Sequence, residues 1–338
     1  MDLWCEFCVV AHPDDLEEVR ATLQQAALTQ RVGLGAALSR SWRRGDILQC
    51  HGATLVIAFA GADALIGGEP FAGGVPSFEF ARAFREAGVG CALFVRDVLR
   101  SWYLRGIGDA GYTFQSVVDA LRAEIDSVRP ARLVTLGCSM GGYAAVRAGL
   151  ALRADEVLAF GPQVIVRPAD RQALGLPASP FDDLLRSVHA RSESEGFALT
   201  SLIEALHEMH SNEATVIPEV ATEGSTAAAI EPVAAGSDAA GETLVRLFAG
   251  DECEADLHEA RLFDAAVRDG TPQRGRHVAC EVVAVPGADH AVAAAMKASG
   301  ALHELLCRAA LHERGNGCVA GCGNFPEDFE GFTDCPDF

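Results

Sequence analysis

Ser139 lies in the run Gly137-Cys138-Ser139-Met140-Gly141-Gly142-Tyr143, with one glycine two positions before it and another two positions after. A serine hydroxyl is a weak nucleophile until the chain holds it exposed and beside a base. Small residues at those two positions let a chain turn sharply from strand to helix. Such a turn strains the backbone of the central residue and lifts its Oγ clear of the sheet. The first turn of the following helix favours negative charge, which is where an alkoxide or oxyanion develops. The chemistry this spacing predicts is a nucleophilic role for Ser139. The flanks agree with it. Arg132-Leu-Val-Thr-Leu136 is a short apolar run suited to a buried parallel strand, and Tyr143 to Leu152 is composed mostly of good helix formers.

This strand, sharp turn and helix resemble the nucleophile elbow of the α/β-hydrolase superfamily. The resemblance implies a triad in the order serine, acid, histidine, each at the carboxyl end of a strand. His290 then takes the place of the general base. It closes Gly287-Ala288-Asp289-His290, just past the strand-like Glu281–Pro286 and before a helix-like segment from Ala291 to Leu305. His258, His303 and His312 read instead as helix-surface residues. For the acid, the strand-like Thr243–Ala249 ends at Gly250-Asp251-Glu252-Cys253-Glu254-Ala255-Asp256. Many relatives carry their acid three residues after the glycine, but that residue here is Cys253. Asp256 is the first choice among the remaining carboxylates, Asp251 the second, and Glu252 is also near. The competing role for Asp256 is to cap the helix-like Leu257–Phe263. The backbone N–H of Met140, with that of Gly61 or Ala62 after the strand-like Thr54–Ala60, would stabilise the oxyanion. Trp102 and Tyr103, among Arg96, Arg100 and Arg105, are candidates for lining a substrate pocket. Their structural alternative places Trp102 in the core.

A second pattern competes. Val9-Val10-Ala11-His12-Pro13-Asp14-Asp15 resembles the start of zinc-dependent de-N-acetylases, which implies His12 and Asp15 as metal ligands and Asp14 as base. Leu16 stands where that family usually has glutamate, and Asp14 is equally suited to capping a helix. His207-Glu208-Met209-His210 adds two histidines at ligand spacing. Cys5-x-x-Cys8 and Cys318-x-x-x-Cys322 make a metal knot only if the chain ends meet.

The elements that must position these groups alternate. Helix-like 14–30 precedes strands at Ile47–Cys50 and Leu55–Ala60. Then come a helix over Phe78–Ala87, a strand over Gly90–Val95, a helix over Tyr112–Ser127, the Ser139 unit, and a strand at Glu156–Phe160. Alternation of this kind predicts a mostly parallel sheet covered on both faces, here an α/β-hydrolase fold. Residues 1–166 and 243–312 would form its core. Residues 167–242 exceed an ordinary connection and are expected to form a lid or cap, and 313–338 form an acidic tail with cysteines and phenylalanines.

The 338 residues are 49% hydrophobic and 22% charged, the balance of a globular protein. A net charge of −20 argues against nucleic acid or an anionic membrane as partner. No basic, apolar leader or membrane-length run is evident, so a cytoplasmic location is expected. Eleven cysteines, with Cys50, Cys91, Cys138 and Cys280 in strand-like runs, suggest free thiols over a disulfide framework. Three classes follow from these residues. The first is a cofactor-free serine hydrolase acting on a small ester, thioester or amide, with no metal. The others are the zinc deacetylase and a hydrolase-fold binding protein without activity, kept open by Cys253.

Overall fold

A computed structural model describes residues 38–40, 50–62, 79–97, 99–107, 113–178, 181–214, 241–270 and 277–310. Strand β2 (Thr54–Phe59) shows why the sheet forms. All six residues are buried. Leu55, Ile57 and Phe59 join the apolar core on one face, while Val56 and Ala58 join the core on the other. A strand apolar on both faces is stable only between two layers of helices.

The described strands form one sheet in the order β1-β3-β2-β4-β5-β6-β7, where β1 is Leu38–Arg40, β3 Ala92–Val95, β4 Arg132–Cys138, β5 Glu156–Phe160, β6 Glu242–Gly250 and β7 His277–Val285. β1 runs antiparallel to β3, and every other pairing is parallel. The chain steps from β2 to β3 on one side and returns to β4 on the other. The carboxyl ends on either side of such a reversal border a crevice.

Helices α1 (Ala81–Glu86), α2 (Phe114–Val128), α3 (Met140–Leu152), α4 (Pro168–Ala173), α5 (Asp182–Glu195), α6 (Leu202–Ala214), α7 (Glu254–Asp269), α8 (Val292–Ala298) and α9 (Ala301–Ala310) complete the described elements. One core gathers Val117, Leu121, Leu184, Leu202 and Phe263 from α2, α5, α6 and α7. The opposite core gathers Phe84, Val292, Leu302 and Leu306 from α1, α8 and α9.

Several expectations need correction. The single helix expected over Ala291–Leu305 is two, because Gly300 adopts φ 82° and ends the first. A left-handed glycine just past a helix is a common stop. The helical stretches expected in 180–210 are α5 and α6, and α6 extends to Ala214. Cys50 lies in a turn, not a strand, and is bonded to Cys91. That bond ties the approaches to neighbouring β2 and β3, and it departs from the expectation of free thiols throughout. Cys138, Cys253, Cys280 and Cys307 are free thiols. No helix among the described residues is long and apolar enough to cross a membrane. Helix-like 14–30, residues 47–49 of the first predicted strand, His12, Asp14 and Asp15, the Cys5/Cys8 and Cys318/Cys322 pairs and the tail all lie outside the described residues.

Candidate active site

Ser139 stands between β4 and α3 with φ 52° and ψ −120°. This is a left-handed-side conformation that costs a non-glycine residue of order 1–3 kcal/mol and persists only when its surroundings impose it. They do so through close contact. A Cβ on Gly137 would lie 2.2 Å from the Gly141 carbonyl oxygen, and one on Gly141 would lie 2.1 Å from that of Phe59. No side chain fits at either position. Tight packing against β2 therefore sets the bend, and the Ser139 amide donates to the Phe160 carbonyl at 2.8 Å to hold it.

The bend brings distant residues together. His290 Nε2 lies 3.1 Å from Ser139 Oγ, across 151 positions of chain. Its Nδ1 lies 2.7 Å from Asp256 Oδ2. Asp256 is buried, in the first turn of α7, whose N-cap is Cys253. Cys253 thus holds the N-cap position, without a side-chain cap bond, and the Asp256 carboxylate turns to the imidazole. Asp251, the second choice, is exposed and accepts the Gly287 amide at 2.7 Å. It shapes the loop leading to His290 and stands away from the ring. The Phe181 ring, just before α5, packs 4.2 Å from the His290 ring.

Of the expected oxyanion donors, Met140 directly follows the serine at the start of α3. The Gly61 amide, however, donates to Glu79 Oε2 at 2.8 Å. A carboxylate on that N–H leaves Ala62 as the candidate donor from this loop.

Trp102 and Tyr103, expected at a substrate pocket, are instead fully buried and do not line an open one. The Tyr103 hydroxyl is 2.8 Å from the Ala60 carbonyl and 3.1 Å from that of Val95. Burial raises its pKa well above the ordinary tyrosine value, so it remains a neutral donor. The backbone places them there by an unusual route. Arg100, Trp102 and Tyr103 all have positive φ. Asp97 compensates by accepting from the amides of Leu99, Ser101 and Tyr103 at 2.6–2.9 Å. The arginines are turned inward too. Arg100 Nε donates to the Ala62 carbonyl at 2.6 Å, and Arg105 pairs with Glu195 at 2.7 Å.

Gln163 escaped the sequence reading. It is buried just beyond β5, and its Nε2 donates to Ser139 Oγ and to the Gly161 carbonyl, both at 3.3 Å. Trp102 Nε1 donates to its Oε1 at 3.2 Å. An indole N–H only donates and a carbonyl only accepts, so these two neighbours fix which end of the amide faces the serine. A lone glutamine after a strand has no distinguishing spacing, so no sequence pattern marks it. Behind it, Glu259 of α7 accepts the amides of Val164 at 2.6 Å and Ile165 at 3.0 Å, and pairs with Arg171. One helix thus carries both Asp256 and the anchor for the Gln163 loop.

Cys253 stands beside the same carboxylate. Burial pushes its thiol up, and the Asp256 charge adds to that. His207 lies on α6, while the side chain of His210 is outside the described residues. The proposed metal pattern of that helix therefore gains no geometry.

The strand order and reversal at β2, with a strained serine between β4 and α3, define the α/β-hydrolase fold. The chain matches no protein-family model and no curated protein. Among solved structures it is similar to the Glycosylation Associate Protein (Gap123) complex from Streptococcus agalactiae, at 16% identity and TM-score 0.46 over 79% of this chain; the match spans only 43% of that chain. It is similar to an S-formylglutathione hydrolase from Agrobacterium tumefaciens, at 16% identity and TM-score 0.40 over 78% of this chain and 85% of that one. The esterase from Pyrobaculum calidifontis gives 13% identity and TM-score 0.41, over 88% and 92%. These are likenesses of chain course, and the fold assignment rests on topology and elbow.

Proposed function

We propose that the protein is a serine hydrolase that cleaves a small carboxylic ester, thioester or amide through an acyl-enzyme on Ser139. The observation that carries this reading is the relay Asp256–His290–Ser139, at 2.7 and 3.1 Å, ending on a strained serine. Asp256 accepts a hydrogen bond from Nδ1–H, which keeps the proton on Nδ1 and the Nε2 lone pair facing Oγ. When Oγ attacks the acyl carbon, Nε2 takes its proton and then passes it to the leaving group. Water repeats the sequence to release the acid. The amides of Met140 and Ala62 are the donors for the oxyanion. Gln163 Nε2 supplies a further donor to Oγ, which favours build-up of negative charge there. The reaction as written calls for no cofactor.

Of the segment expected to cap the site, Phe181 reaches the imidazole. Phe181 shields one face of the imidazole, and its apolar ring keeps water from competing for the nitrogen.

A fluorophosphonate probe tests the proposal. Its adduct is expected on Ser139, located by peptide mass, and is expected to vanish in S139A and H290A. Labelling elsewhere, or undiminished labelling in H290A, would overturn the assignment.

A further inference from the structure

The end of β6 holds one more ligand-type side chain than acyl transfer uses. Cys253, Asp256 and His290 each offer a donor atom, and these atoms all lie within 4.8 Å of one another. Asp256 is buried, whereas Cys253 and His290 are partly exposed, so an ion can approach from the thiol side. A thiolate, an imidazole nitrogen and a carboxylate oxygen are the donors Zn²⁺ takes, at about 2.0–2.3 Å in a tetrahedron. Bonds of that length set donors roughly 3.3–3.8 Å apart, so closing the cluster needs side-chain shifts of about 1 Å. Hard cations such as Mg²⁺ and Ca²⁺ prefer oxygen donors alone and are poorly matched to a thiol.

We propose that Cys253, Asp256 and His290 form an inhibitory zinc site that switches the enzyme off by occupying His290 Nδ1. The inference rests on the serine-hydrolase reading above. In the metal-free protein Nδ1 carries the proton donated to Asp256, and Nε2 presents its lone pair to Ser139. Zinc requires the Nδ1 lone pair, so the ring proton moves to Nε2. Cys253 gives up its thiol proton to solvent and binds as thiolate. One Asp256 oxygen exchanges its hydrogen bond for the metal, and water completes the tetrahedron. One proton is released per ion bound, and nothing is oxidised or reduced. With Nε2 protonated, the imidazole cannot accept the Ser139 proton, and attack stops.

Cys253→Ser is the variant of choice. Cys253 is the α7 N-cap without a side-chain cap bond, and serine is a favoured residue there, so the fold should hold. Co²⁺ serves as a spectroscopic probe of the metal-free protein. The expected result is a thiolate-to-cobalt absorption band in the wild type that is lost in C253S, whatever the other cysteines contribute to both. In parallel, Zn²⁺ is expected to slow fluorophosphonate labelling of wild-type Ser139 by about tenfold or more, reversibly with chelator, and to leave C253S labelling little changed. A cobalt spectrum unaffected by C253S, equal zinc protection of both forms, or a cobalt site without protection would each overturn the proposal. Failure of metal-free wild type to label at all would instead remove the hydrolase reading, while the cobalt difference spectrum still decides whether the metal site exists.

Discussion

At the scale of single residues, the assignment turns on which carboxylate stands behind the imidazole. Asp256 meets His290 Nδ1, whereas Asp251 supports the loop through Gly287. Asp256→Asn is therefore expected to lower kcat on an activated ester by roughly 10²–10⁴-fold, because it removes the charge that stabilises the imidazolium and upsets the tautomer. Asp251→Asn keeps an acceptor oxygen for Gly287 and should stay near wild type. Equal losses in the two variants would refute the assignment. Gln163→Ala should lower kcat about 10–100-fold with little change in KM, since its donor acts on charge that grows at Oγ. A rise in KM alone would place Gln163 in substrate binding instead. The motif around Ser139 was legible because it is local: two glycines and a serine at fixed spacing. Gln163 was not, since its part depends on a tryptophan 61 positions away.

At the scale of elements, α6 shows how the segment after β5 is pinned beside the elbow helix. The Tyr143 hydroxyl of α3 donates to the Thr200 carbonyl at 2.6 Å, just before α6 begins. Ser201 and Glu204 then cap α6 reciprocally, with Ser201 N–H to Glu204 Oε2 at 2.7 Å and Glu204 N–H to Ser201 Oγ at 3.1 Å. Burial alone would raise the Glu204 carboxyl, but the Ser201 hydrogen bonds and the Arg167 guanidinium outweigh it and hold it below its ordinary value. A depressed carboxyl contributes stability that is present above the unfolded value of about 4.3 and disappears as pH falls through the folded one. Thermal melts over the acid range should therefore show a steeper loss for wild type than for Glu204→Gln, which lacks the titrating group. Parallel profiles would exclude this contribution. The Ser-x-x-Glu spacing of this box is written in the sequence. Its link to Arg167 and to α3 is not, because only packing brings those elements side by side.

At the scale of the whole molecule, the sheet carries the site on its carboxyl edge, and the Cys50–Cys91 bond clamps the opposite ends of β2 and β3. The bond closes a loop of 41 positions, so its loss is expected to cost about 2–4 kcal/mol by freeing the unfolded chain. Reduction, or Cys50→Ser, should lower Tm clearly while leaving fluorophosphonate labelling of folded protein intact. An unchanged Tm on verified reduction would count against the clamp. The sequence by itself determined the alternation of strands and helices, the elbow and the chain order of serine, carboxylate and histidine, because apolar period, glycine spacing and residue order are properties of neighbours along a chain. Tertiary structure alone decided that Asp256 and not Asp251 faces the ring, that Trp102 and Tyr103 turn inward, that the Gly61 amide serves Glu79, and that Cys50 finds Cys91. Each of those outcomes depends on which side chain is left with a partner once helices settle on the sheet, and partners far apart in sequence are chosen by packing.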